Sequence, residues 1–144
     1  KKDSNTFVVD AISSDGGAIP RNFILLQGML LVHFGALTLE ELVLKACYNP
    51  ARMFGFNTKG HLGRGADADL AILHPRKGDV QITIISGSVV MAGGIPLKIP
   101  GCILTTDRGK EALEKQGHLY SVVDLADSTY FKNIRQSHTK RSSL

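Results

Sequence analysis

The sequence predicts an α/β segment joined near residue 56 to a β-rich segment. Three observations predict this. A short apolar, β-branched run leads into three helical patterns, the last of which stops at Gly55. After Gly55 the hydrophobic period changes from helical to strand-like. Short strands separated by glycine turns then follow one another, and a single helix comes after them.

Residues 6–12 (TFVVDAI) read as a buried strand, ended by the loop composition Ser13-Ser14-Asp15-Gly16-Gly17. Pro20 precedes Asn22, which suits the N-cap of a helix over 23–33. That helix is apolar almost all round, so it needs cover on most sides. Gly35 suits its C-terminal end. Thr38-Leu39-Glu40-Glu41 is a capping box opening a helix over 39–47. Its Leu39, Leu42, Val43 and Ala46 form one stripe expected to be buried, and Asn49-Pro50 is expected to break it. Pro50 then starts a short helix that Gly55 stops.

Strands are predicted over 69–73, 80–86 and 88–91, with a turn at Ala92-Gly93-Gly94 before a last strand over 95–99. Pro96 places that last strand at an edge, because proline cannot donate to a ladder. Thr106 or Asp107 caps a helix over 108–116, ended by Gly117. Residues 119–125 fit strand or helix equally, and disorder or a loose helix is expected beyond Tyr130.

Composition excludes several classes. The chain is 43% hydrophobic and 21% charged, which is globular rather than disordered. Much of the +4 net charge sits in Lys132, Arg135, Lys140 and Arg141, a solvated basic end without any recognition motif, so no nucleic acid is expected as partner. The apolar run 23–34 is interrupted by Gln27, Gly28 and His33 and falls short of the roughly 20 residues a bilayer span needs. No membrane is expected, and no signal peptide follows Lys1-Lys2. The absence of an initial Met suggests a processed or excised segment. Cys47 and Cys102 form no C-x-x-C pair and read as free thiols in a reducing, cytoplasmic compartment.

Two consecutive stretches carry the most information. Asn49-Pro50-Ala51-Arg52-Met53-Phe54-Gly55 follows the pattern N-P-A-x-x-x-G. Lys59-Gly60-His61-Leu62-Gly63-Arg64-Gly65-Ala66-Asp67-Ala68-Asp69-Leu70 reads as a glycine-rich turn entering a strand. The second also satisfies G-x-G-x-x-A at Gly63–Ala68, but a dinucleotide site needs a strand before and a helix after, and the order here is turn then strand. Together the two stretches resemble the C-terminal region of metal-dependent amidohydrolases of the dihydroorotase, hydantoinase, N-acyl-amino-acid deacylase and enamidase kind. The resemblance runs from about residue 7 to residue 97 and stops before Gly101.

The resemblance implies that the chain is the tail of a larger hydrolase. Residues 1–56 would be the last strand and helices of a TIM-like barrel, 57–100 part of a β-sandwich, and 101–144 a C-terminal helix and basic tail. It implies hydrolysis of a C–N bond in a small amide or cyclic amide, with a divalent metal, zinc, in the full-length parent and none held tightly by this segment. Asp15 is the leading catalytic candidate and candidate metal ligand: it follows the first apolar run at the strand end where barrels carry their sites. A carboxylate there can bind a metal and accept a proton from water. Gly16 and Gly17 would let substrate approach, and Arg21 would face it, although the plainer reading of Arg21 is an exposed loop residue. Asp10 is a rival carboxylate with a structural reading, and Asp15-Gly16 alone is also a common turn dipeptide.

The histidines His33, His61, His74, His118 and His138 form no H-x-H or H-E-x-x-H, so the family's other ligands are expected outside this chain. A missing N-terminal part of the same protein, or a second copy, would then cover open sheet edges. Two alternatives stay open: a non-catalytic β-rich binding or assembly module, and a degenerate amidohydrolase without metal.

Overall fold

The computed structural model describes residues 7–17, 20, 23–97 and 101–134. Its element order is helical first, then a sheet, then a strand–helix–strand unit. Helix α1 spans Ile24–His33 and ends with Gly35 at φ +70°, as its sequence foretells. Phe23 occupies its N-cap without a side-chain bond, and the expected cap Asn22 lies outside the described residues.

Helix α2, Leu39–Val43, opens with the complete capping box. The Thr38 hydroxyl accepts from the Glu41 N–H at 3.1 Å, and the Glu41 carboxylate accepts from the Thr38 N–H at 2.8 Å. The expected break at Asn49-Pro50 does not occur. The chain passes through a π turn, Leu44–Tyr48, into α3, Asn49–Phe54. The reason is the proline. In an α ladder the Pro50 ring would strike the carbonyl of residue 46. In the π turn the Asn49 N–H reaches back to the Leu44 carbonyl, and the helix continues past Pro50. Gly55 at φ +78° ends α3.

The expected buried stripe is only partly buried. Leu42 is 2% exposed and forms a core with Met29 and Leu37, while Leu39 and Val43 are about half exposed. Gly28 lets α1 approach so closely that a Cβ there would overlap the Leu42 side chain. The rest of α1 is only partly covered: Leu30 and Leu31 are nearly half exposed, and Phe34, just past its end, is 83% exposed.

The expected strand over 6–12 is not formed in its described part, 7–12, and Val8 and Val9 are exposed rather than buried. A strand needs a hydrogen-bonded neighbour, and none of the described strands pairs with it. Its backbone bonds instead to the π turn, Ile12 N–H donating to the Lys45 carbonyl at 3.2 Å.

Strands β1 (Leu70–Leu73), β2 (Val80–Ile85), β3 (Ser88–Ala92) and β4 (Ile95–Pro96) form one antiparallel sheet in that order. Asp69 stands just outside β1, and Ala92 belongs to β3 rather than to the turn. Pro96 lies on edge strand β4, where a missing N–H costs no ladder bond. Leu73 of β1 packs against the Met29–Leu37–Leu42 core. Gly78, in the β1–β2 turn, packs on Met29 and Leu26 of α1 and thereby joins sheet to helices.

Beyond residue 100 the expected helix appears, set between two paired strands that the sequence did not foretell. Strand β5 (Ile103–Thr105), helix α4 (Asp107–Lys115) and strand β6 (Tyr120–Val122) make a parallel pair with a helical crossover. β6 settles the ambiguity over 119–125 in favour of strand. Residues 129–134 are helical, which fits one of the two expectations for that region. Two contacts tie this unit to α3: Ser128, fully buried, donates to the Met53 carbonyl, and Asn57 donates to the Asp127 carboxylate at 2.5 Å.

Candidate functional site

Asp15 lies at the head of an exposed turn with φ +48°, a left-handed conformation that aspartate tolerates better than most side chains. Its N–H donates to the Ser13 hydroxyl at 3.3 Å, and its carbonyl accepts from Gly17 N–H. These bonds hold the backbone and leave the carboxylate out of the loop's own network. Among the described residues nothing bonds or pairs with that carboxylate. Gly16 and Gly17 are exposed beside it, and a Cβ on Gly17 would meet no atom within 4 Å. Arg21 lies outside the described residues. Asp10, the rival, is also exposed, and its carbonyl accepts from Asn49 Nδ2 at 2.6 Å.

No cluster of three or more His, Cys, Asp or Glu forms among the described residues. The histidines lock turns instead. His33 Nε2 meets the Pro75 carbonyl at 3.1 Å, tying α1 to the β1–β2 turn. His61 bridges the Asn57 carbonyl at 2.9 Å and the Gly63 N–H at 3.1 Å. His74 Nδ1 accepts from the Arg76 and Lys77 N–H groups at 3.2 and 3.3 Å. A hollow of about 360 Å³ near Cys102, Ile103 and His118 involves none of the candidate residues.

The glycine-rich return, the most informative stretch of the sequence, works as a clasp. Lys59 Nζ sits 2.8 Å from the Asp67 carboxylate and 2.5 Å from that of Asp69. Asp69 also accepts from the Ser86 N–H at 2.8 Å, so one carboxylate fixes both the return and the β2–β3 turn. Arg52 completes the clasp from α3, donating to the Asn57 side chain at 2.9 Å, the Lys59 carbonyl at 2.9 Å, and the Phe56 carbonyl. Sequence reading missed these partners because the Asp69–Ser86 bond depends on hairpin register and the Arg52 and Lys59 contacts on how the return folds back over α3; the recurrence of Lys and Asp around the glycines was the available signal.

The Lys59 ammonium and the Ser86 N–H hold the Asp69 carboxyl below the usual carboxylate range. Hydrogen bonds to Asp67 and Asp69 push the Lys59 ammonium above its usual range. The stability from Asp69 is therefore full above its unfolded value of about 3.9 and is lost as pH falls through the lowered folded value. The stability from Lys59 is full below about 10.4 and is lost as pH rises through the raised folded value. Lys59 is one-third exposed, so solvent screening trims the ion pair, and the bond to the Ser86 N–H adds to it. Asp69→Asn is expected to cost about 1–2 kcal/mol at neutral pH. In urea titrations at several pH values its deficit should shrink as the pH falls below about 3.9; a deficit independent of pH would remove the charge from this explanation.

Comparison with known proteins follows the same residues. A family model described as the amidohydrolase family matches residues 2–90, from before the Asp15 loop into β3. A dihydroorotase from Syntrophus aciditrophicus (strain SB) is 49% identical over 49 residues, which cover 34% of this chain and 11% of that protein. The chain thus spans about one-tenth of that relative's length. No solved structure matches the chain.

Proposed function

The chain belongs to the amidohydrolase family, and from that membership we propose that it is the C-terminal part of a hydrolase acting on a C–N bond in a small amide or cyclic amide. The observation that carries the proposal is the family match running through Asp15 and both motifs. Residues 1–56 would be the closing part of a barrel, and 57–100, which include β1–β4, one part of a β-sandwich. The partly exposed leucines of α1 support this, because an apolar helix of a complete domain would be covered.

A catalytic metal site takes about three protein ligands. Asp15 is the one candidate on its loop, so the described residues alone do not fit a metal ion. The divalent metal that the family reading implies, zinc, would need ligands from elsewhere in the protein. What this chain can supply is proton transfer. As water attacks the carbonyl carbon, the Asp15 carboxylate would take a proton from it. As the C–N bond breaks, the same carboxyl would return that proton to the leaving nitrogen. Exposure of Gly16 and Gly17 would let the substrate backbone or ring reach the carboxylate. Arg21, four residues past Gly17, would face the substrate from the same loop.

The test is turnover by the natural polypeptide that carries this segment, with dihydroorotate, hydantoins and N-acyl amino acids as trial substrates. Hydrolysis of one of them is expected; binding without turnover across the panel would favour the assembly-module reading. A second expectation concerns the chain by itself. Among the described residues strand β1 is an open edge with Leu70 and Ile72 exposed, and Leu30 and Leu31 of α1 are nearly half exposed. Open apolar edges pair with other chains. Light scattering of the 144-residue chain should therefore report a mass above its 15.5 kDa; a monomer at high concentration would contradict these faces being interfaces.

A further inference from the structure

We propose that the π turn between α2 and α3 is a positioning device, in which Lys45 and Asn49 hold the chain that leads to Asp15. Proline and register together create it. In the π turn the Asn49 N–H passes over the Lys45 carbonyl to reach Leu44. The next donor in that register would be residue 50, which is proline and has no N–H. The Lys45 carbonyl is thus left without a helical partner, and the Ile12 N–H fills it at 3.2 Å.

Two side chains of the same turn add to this bond. Asn49 Nδ2 donates to the Asp10 carbonyl at 2.6 Å, and Lys45 Nζ donates to the Val9 carbonyl. Lys45 is only 7% exposed, and its ammonium also lies 4.3 Å from the centre of the Phe7 ring. A buried ammonium is costly unless acceptors surround it, and here both come from the stretch before Asp15. Three hydrogen bonds from one turn therefore fix Val9, Asp10 and Ile12, the last of them three residues from Asp15. No strand pairing among the described residues does this. Catalysis falls steeply when a reacting group is misplaced by about 1 Å, so a clamp of this kind would set the reach of the carboxylate.

The proposal rests on Asp15 being the working carboxylate, and its test separates the two ideas. Lys45→Met keeps the apolar stem and removes the ammonium; Asn49→Ala removes the amide. Hydrogen exchange on the 144-residue chain should show the Ile12 amide exchanging about tenfold faster or more in each variant, an opening of the size one lost hydrogen bond allows. The β2 and β3 amides should be unchanged. In the natural polypeptide, with dihydroorotate as probe, kcat should fall about tenfold or more with KM nearly constant, the mark of a misplaced group rather than lost binding. Unaltered Ile12 exchange, or equal acceleration throughout the chain, overturns the clamp; faster Ile12 exchange with unaltered kcat overturns its role in positioning. If the unsubstituted protein does not turn over dihydroorotate, the substrate reading fails and the exchange result alone decides the clamp.

Discussion

Asp15→Asn in the natural polypeptide is expected to lower turnover by about two to four orders of magnitude, the range for losing an acid–base group. The amide is nearly the same size, so the turn held by Ser13 and Gly17 should persist. Asparagine also tolerates the left-handed backbone at φ +48°, which makes the substitution a chemical rather than a conformational change. It removes a group that can accept a proton and later return it. KM should move far less than kcat, because no interaction made only in the ground state is lost. Thermal unfolding of the variant should match the parent. Wild-type turnover in this variant would take Asp15 out of the mechanism.

The second large effect is on stability. Gly55→Ala should cost about 2–5 kcal/mol, from roughly 1–2 for a left-handed alanine and about 1–3 for overpacking. At φ +78° the glycine faces the 124–128 turn, and a Cβ would run into the Asp124 carbonyl oxygen and lie 3.1 Å from Ser128 N. That backbone cannot easily step aside. Ser128 is buried, bonded to Met53, and its N–H donates to the same Asp124 carbonyl at 3.1 Å. Such a cost is a large share of the stability of an ordinary domain. Thermal unfolding should show it, with amide exchange rising first over 124–134. A change below about 0.5 kcal/mol, the range of an ordinary surface substitution, would mean that the C-terminal unit does not sit on α3 as described.

Local chemistry was readable where punctuation is local. Gly55 ends α3, the capping box opens α2, and apolar runs between glycines give β1 to β4, all from neighbours a few residues apart. The first apolar run was misread because period and composition say that a strand can form, not that a partner is present. The π turn was invisible because it follows from a steric conflict at Pro50 that the helical pattern conceals. β5 and β6 are three residues each and pair in parallel across α4, a non-local event that no short window carries. Most of the site was legible only by association. Asp15 gains its meaning from the motifs at 49–70, yet the structure makes those motifs a clasp of Arg52, Lys59 and Asp69 rather than a reactive centre.

The most direct test is a structure of the natural polypeptide with a bound substrate analogue. The account predicts an Asp15 carboxylate oxygen about 3 Å from the hydrolytic water or the leaving nitrogen, within a strand-end cleft. An Asp15 side chain turned to bulk solvent, away from the bound analogue, would contradict it.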